Sequence, residues 1–167
     1  MIKAESGPAT NRTLTIAAFA VLIVGALVYV LDRPADSVAF FSTISLDDVF
    51  PSLFGRIGQH LPTFCHVFAF SLLTAACLGG ESRAALSACL IWFGIDATFE
   101  VGQHSRIAEY IIPMIPDWFE SLPVLEHTKS YFLSGTFDVW DVLSIVVGAI
   151  AAFILTAVIQ HRKFHHG

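Results

Sequence analysis

Polar side chains with the chemistry of a binding or catalytic site stand inside or beside apolar stretches of this sequence. Asp96, Glu100 and Gln103 follow one another at intervals of four and three residues, so a helix would present all three on one face. Asp138 and Asp141 would share a face in the same way. The candidate site residues are His66, Asp96, Glu100, Gln103, Arg106, Asp138 and Asp141. Because ionisable groups inside a bilayer are costly unless paired or hydrated, each requires a partner.

Two neighbouring carboxylates in a medium of low dielectric repel each other unless one is protonated or both share a cation. Such an arrangement serves proton transfer, general acid–base catalysis or metal binding equally well, so the sequence assigns no catalytic residue and leaves enzymatic activity open. Without a compact ligand motif such as HExxH, it predicts neither a metal site nor a cofactor. The structural alternative is that these groups hydrogen-bond across helices, with Asp138 and Asp141 favoured at a helix N-terminus.

The composition indicates that lipid surrounds the elements carrying these residues. Of 167 residues, 55% are hydrophobic and only 14% are charged, and the mean hydropathy is +0.70. Soluble domains contain about a quarter charged residues. The net charge of −5, without a basic stripe, argues against nucleic acid as a partner.

The hydropathy pattern predicts one all-α membrane domain, residues 1–167, folded as a polytopic bundle of about four transmembrane helices. The predicted spans are residues 14–31, 62–78, 84–103 and 137–159. The first is longer than a signal-peptide core and lacks an A-x-A cleavage site, so we interpret it as a retained span. Residues 32–61 and 104–136 would lie on the outer side, the former with an interfacial helix through Leu53 and Ile57, the latter as a long loop.

The distribution of basic residues predicts that both termini lie inside. Lys3, Arg12, Arg83, Arg162 and Lys163 then fall on the inner side. Span two would begin on the outer side, where span three ends and span four begins. The polar residues of all three spans would therefore converge near the outer leaflet.

The same residues carry a resemblance to a known family. His66 lies in the stretch 61–68, the sequence Phe-Glu-Val-Gly-Gln at 99–103 contains an E-x-x-Q element, and the stretch 141–148 begins with Asp141 and ends with Gly148. Over about residues 61–155 this pattern resembles the VanZ-like family of small membrane proteins. The resemblance implies a bacterial inner (cytoplasmic) membrane, a role in the cell envelope and a polar cluster near the outer face.

Three departures from the family pattern accompany this resemblance. Ile145 stands where the family has Asn, no Arg lies in the turn 134–137 before Asp141, and the loop 104–136 is longer than usual. The resemblance implies no particular reaction.

Three functions remain in competition. In the first, the outer cluster binds a lipid-linked or amphiphilic ligand, and membrane lipids are the partners. In the second, the protein is a non-catalytic accessory subunit that packs against a larger membrane protein complex through the aromatic loop 104–136. The third is a proton or ion pathway over Asp96, Glu100 and Asp141, which the scarcity of ionisable residues in the inner half disfavours.

Overall fold

The protein folds as an all-α bundle. The computed structural model describes residues 8–32, 53–123 and 125–166, and within these ranges it contains six α-helices and no strand. They are α1 (Pro8–Asp32), α2 (Gly55–Cys77), α3 (Ser82–Gly102), α4 (Ser105–Ile111), α5 (Thr128–Ser134) and α6 (Val139–His166). Short 3₁₀ turns occupy Ile112–Met114, Asp117–Ser121 and Leu125–His127.

Four of these helices are long and apolar enough to cross a membrane, which confirms the predicted fold class. The membrane-spanning stretches are Thr10–Asp32, Gly55–Cys77, Ser82–Gly102 and Val139–Arg162. At about 1.5 Å per residue, each exceeds the hydrocarbon core of a bilayer, roughly 30 Å thick. The protein is therefore a helical membrane protein.

Helix α2 begins earlier than its hydropathy predicts. The sequence places the start of this span at Pro62, but the helix begins at Gly55 and continues through the proline. Hydropathy reports which residues enter lipid, whereas helical hydrogen bonding extends into the polar turn that precedes the apolar run. One consequence is that His66 lies about 16 Å from the start of α2 and not in its first turn.

Helix α2 forms the centre of the bundle. Half of the most apolar stretch of α2 is buried inside the protein, whereas the corresponding stretches of α1, α3 and α6 are each 22% buried. α1 packs against α2, and α3 packs against both α2 and α6, so α1 and α3 flank α2 with little direct contact between them. The core contains Leu14 and Ala18 of α1, Val67 and Leu72 of α2, and Ile145 of α6.

Hydrogen bonds close the bundle at both ends. Gly79 and Gly80, with φ of 92° and 70°, make the tight turn from α2 to α3 in a conformation that glycine adopts without strain. Gln160, near the end of α6, donates to the Gly80 carbonyl and accepts from the Ser82 hydroxyl. At the opposite end, the carboxylate of Asp32 accepts a hydrogen bond from the backbone N–H of Phe54 at 2.9 Å.

The predicted loop 104–136 is folded where the structure describes it. Residues 105–123 and 125–134 form α4, the three 3₁₀ turns and α5, which together cover the end of α3; we call this segment the cap. Lys129 joins two of its parts through Asp117 at 2.9 Å and Glu120 at 2.7 Å. The predicted interfacial helix lies largely outside the described residues, and Ile57 belongs to α2.

Candidate functional site

Glu100 connects the end of α3 to the start of α6. Its side chain is buried, with 7% of the residue exposed. One carboxylate oxygen accepts the backbone N–H of Asp138 at 2.7 Å, and the other accepts from Gln103 Nε2 at 3.3 Å. The same Gln103 nitrogen donates to the Tyr131 hydroxyl of the cap at 2.7 Å. The predicted E-x-x-Q element thus links α3, α6 and the cap.

Asp141 joins α6 to α2 through a histidine that the sequence did not single out. His60 Nδ1 lies 3.0 Å from Asp141 Oδ1, and the Thr63 hydroxyl donates to that same oxygen at 3.2 Å. Asp138 places its Oδ2 atom 3.9 Å from His60 Nδ1, while its Oδ1 atom caps α6 by accepting the Trp140 N–H at 2.8 Å. Both predicted aspartates therefore belong to this cluster.

His60 is not among the predicted site residues because the predicted span begins two residues after it. A usable signal was nevertheless present. His60 and Thr63 are three residues apart, so they share a face of any helix that extends across Pro62. A helix that begins one turn earlier includes His60 beside Thr63, which the predicted span already contains.

His66 pairs with Asp96 and not with Asp141. Its Nδ1 atom lies 2.7 Å from Asp96 Oδ2, and its ring packs beside Phe70 and Trp92 with centroid distances of 4.5 and 5.6 Å. His66 lies six residues beyond His60 on α2, about 9 Å along the helix axis. The predicted set therefore forms two groups at different depths, because His66 lies beyond His60 on α2 and Asp96 lies one turn before Glu100 on α3.

A cavity of about 770 Å³ borders the His66–Asp96 pair and extends to Glu100. Its polar lining residues include Thr63, His66, Asp96 and Glu100. Its apolar and aromatic walls come from α1, α2, α3 and the cap, including Leu22, Tyr29, Trp92, Phe99 and Phe119. Ligand sites are typically cavities of about 300–1,000 Å³ with mostly apolar walls and few polar groups, so this cavity has the dimensions and lining of such a site.

Tyr131 forms part of the cavity wall where the cap meets α3. The residue is 43% exposed, but its hydroxyl faces inward and accepts from Gln103. Burial, together with the nearby carboxylate of Glu100, raises the pKa of Tyr131 to about 12. The hydroxyl therefore stays neutral at ordinary pH and can donate a hydrogen bond.

Arg106 is not brought to the cluster. Arg106 is exposed in the first turn of α4 and makes no ion pair with any residue in the described ranges. Ile145, in contrast, is fully buried and lines the cavity. The wall at this position is therefore apolar.

His60, Asp138 and Asp141 are the described residues that could hold a metal ion together. One ligand atom from each lies within 4.8 Å of the others. The direct bond from His60 to Asp141 and the capping bond of Asp138 already account for the positions of these side chains. The geometry therefore allows a cation without requiring one.

Comparisons with known protein families, curated protein sequences and solved structures find no match to this chain. The fold and the site define its class: a helical membrane protein with a cavity between its spans and a polar cluster at one end of the bundle. The VanZ-like resemblance rests on the sequence elements alone.

Proposed function

We propose that this chain is a VanZ-like protein of the bacterial inner membrane that binds a lipid-linked or amphiphilic ligand in the cavity beside His66 and Asp96. The observation that carries the proposal is the mixed character of this cavity. Aromatic and aliphatic side chains form most of its wall, while carboxylates, imidazoles and hydroxyls from α2, α3 and the cap add polar groups to the same wall. A molecule with an acyl chain and a polar head matches both kinds of lining.

The arrangement of the spans supports access from the lipid. α1 and α3 both line the cavity but have little direct contact with each other, so the gap between them faces the bilayer. An acyl chain could enter through this gap without crossing a polar surface. The folded cap, with Phe119 and Tyr131 on the wall, covers one end of the cavity.

The proposed orientation has both termini inside. The basic residues Arg12, Arg83 and Arg162 then lie on the inner side, as the positive-inside rule favours. The cap and the polar cluster lie on the outer side in this orientation. A ligand from the outer leaflet would reach the cavity directly.

Native mass spectrometry of the protein extracted from its own membranes tests this proposal. We expect a lipid-sized adduct on the wild-type protein and its loss in Ala26→Phe, because Ala26 lines the cavity and a phenyl ring would fill part of it. Ala20→Phe is the matched control, since Ala20 is an exposed residue of the same helix outside the cavity lining. A bare wild-type mass, or equal adducts on both variants, would overturn the proposal.

The exposed surface of the cap favours a second candidate function, an accessory subunit in a larger membrane complex. Tyr110, Met114, Trp118 and Leu133 are 77%, 79%, 58% and 70% exposed. Such side chains serve a protein interface or the headgroup belt of the bilayer. A stoichiometric protein partner in the same spectra, lost in a Trp118→Ala variant, would make this function the leading one.

A further inference from the structure

The residues that line the cavity provide no permanent positive charge. The lining contains the carboxylates of Asp96 and Glu100 and the imidazoles of His66 and His127, but no Lys or Arg among the described residues. Lys129 of the cap is engaged by Asp117 and Glu120. If the His66 ring were protonated, Asp96 would compensate its charge, so the pair would still carry no net positive charge.

Several groups of the lining can accept hydrogen bonds. The Asp96 carboxylate accepts from His66 Nδ1, so the Nε2 atom of a neutral His66 ring is an acceptor. The Thr63 hydroxyl donates to Asp141, which leaves its oxygen lone pairs to accept. Glu100 carries two carboxylate oxygens. The Tyr131 hydroxyl, whose oxygen accepts from Gln103, keeps its proton to donate.

We propose that the ligand of this cavity carries a primary ammonium group, which the wall recognises in preference to a trimethylammonium or a group without a cation. This inference rests on the proposed function. An ammonium offers three N–H donors to the acceptors named above and compensates the charge of the carboxylates. A trimethylammonium keeps the charge but has no N–H to donate, and an anionic group would face carboxylates without a counterion.

The aromatic wall adds to this preference. Trp92 lies beside the His66–Asp96 pair, and Phe99 and Tyr131 contact each other with ring centroids 5.9 Å apart. The face of an aromatic ring attracts a cation within about 6 Å of its centroid. A cationic head group between these rings and the carboxylates would be stabilised from both sides.

A set of three lipids with identical dioleoyl chains tests the inference. The delipidated protein is placed in nanodiscs containing equal amounts of phosphatidylethanolamine, phosphatidylcholine and phosphatidylglycerol, and the retained lipid is identified after ejection in a native mass spectrometer. All three lipids carry the same phosphodiester, so they differ only in the terminal head group. We expect about tenfold enrichment of phosphatidylethanolamine over either of the others, the effect of one charge-assisted hydrogen bond.

Two variants sharpen the assignment. Asp96→Asn removes the carboxylate beside the head group and should abolish the enrichment while a lipid is still retained. Arg106→Gln, which changes an exposed residue without a described ion pair, should leave the enrichment intact. The wild-type result is decisive even if Asp96→Asn fails to fold.

The possible failures are distinguishable. Retention of lipids in equal amounts, or enrichment of phosphatidylcholine or phosphatidylglycerol, would overturn the ammonium proposal and leave the amphiphile site standing. Absence of any retained lipid would overturn the proposed function itself, and the inference with it.

Discussion

Glu100 is the residue on which most of the polar contacts between α3, α6 and the cap depend. It accepts the Asp138 N–H directly and reaches Tyr131 through Gln103. Because the carboxylate is buried, truncating this side chain would leave the Asp138 N–H without its acceptor and Gln103 with Tyr131 alone. The residue is therefore expected to matter for stability as well as for the lining of the cavity.

Glu100→Ala should destabilise the protein by about 1–3 kcal/mol, the cost of leaving a buried donor unsatisfied. Glu100→Gln should destabilise the protein less, because the amide oxygen can still accept the Asp138 N–H. The remaining cost arises because the amide NH₂ group cannot accept from Gln103. Unfolding in mild detergent, followed by circular dichroism, measures both variants. Equal stability of Glu100→Ala and the wild type would show that the contact between α3 and α6 contributes nothing.

Tyr131 should titrate well above a free tyrosine. Its pKa of about 12 reflects burial first and nearby carboxylates second, so ultraviolet absorbance should show a late-ionising component that is absent in Tyr131→Phe. Because the folded protein binds this proton more tightly than the unfolded chain, stability should fall as pH rises between about 10 and 12. An absorbance curve without a late component in the wild type would contradict the inward position of the hydroxyl.

At the scale of the elements, the contact of α2 with α6 depends on a small residue. A Cβ atom added to Gly148 would lie 2.9 Å from the Phe64 carbonyl oxygen, a backbone atom that cannot yield cheaply. We expect Gly148→Ala to destabilise the protein by about 1–3 kcal/mol through overpacking. Gly94→Ala is the matched control, because nothing lies within 4 Å of its added Cβ. Similar unfolding midpoints for the two variants would show that α2 and α6 are less closely packed than described.

The cap should be held together by Lys129. Its hydrogen bonds to Glu120 and Asp117 raise the pKa of the Lys129 ammonium, so the charge persists throughout the ordinary pH range. Lys129→Gln should increase hydrogen exchange of backbone amides in residues 117–134, whereas Arg106→Gln should not. Unchanged exchange in Lys129→Gln would mean that apolar contacts, such as the stacking of Phe99 on Phe132, hold the cap alone.

The elements differ in how far the sequence could predict them. The four spans were predictable because a bilayer requires long apolar helices, a demand that hydropathy measures directly. The start of α2 was not predictable from hydropathy, because the turn containing His60 is helical without being apolar. The cap was predicted as a loop because its helical pieces, such as Ser105–Ile111, are too short to produce a clear period.

The candidate site was predictable only in part for the same reason. Glu100, Gln103, Asp138 and Asp141 were identified because polar groups in apolar runs require partners, and the structure brings them together. The pairing of His66 with Asp96 was not predicted, because a helix starting at Pro62 would place His66 about one turn from the outer end. The cavity itself arises from the separation of α1 and α3. This separation is a property of helix packing that a local sequence pattern does not encode.

At the scale of the whole molecule, four membrane crossings would place the start of α1 and the end of α6 on the same side of the membrane. The proposed orientation predicts that the α2–α3 turn faces inside and the cap faces outside. In a Cys77→Ser background, a membrane-impermeant maleimide applied to intact spheroplasts should label Glu126→Cys in the cap and spare Glu81→Cys in the turn. Labelling of Glu81→Cys alone would invert the orientation and place the cap inside.

The central claim is that an amphiphile occupies the space between α1 and α3. Photo-crosslinking tests it most directly, using a phosphatidylethanolamine with a diazirine in its acyl chain and mapping of the labelled residues by mass spectrometry. We predict label on the cavity-facing residues Gly25, Tyr29 and Ile95 in the wild type and its loss in Ala26→Phe, while exposed Phe19 and Ile23 are labelled in both. Label confined to Phe19, Ile23 and other lipid-facing positions in the wild type would contradict the claim.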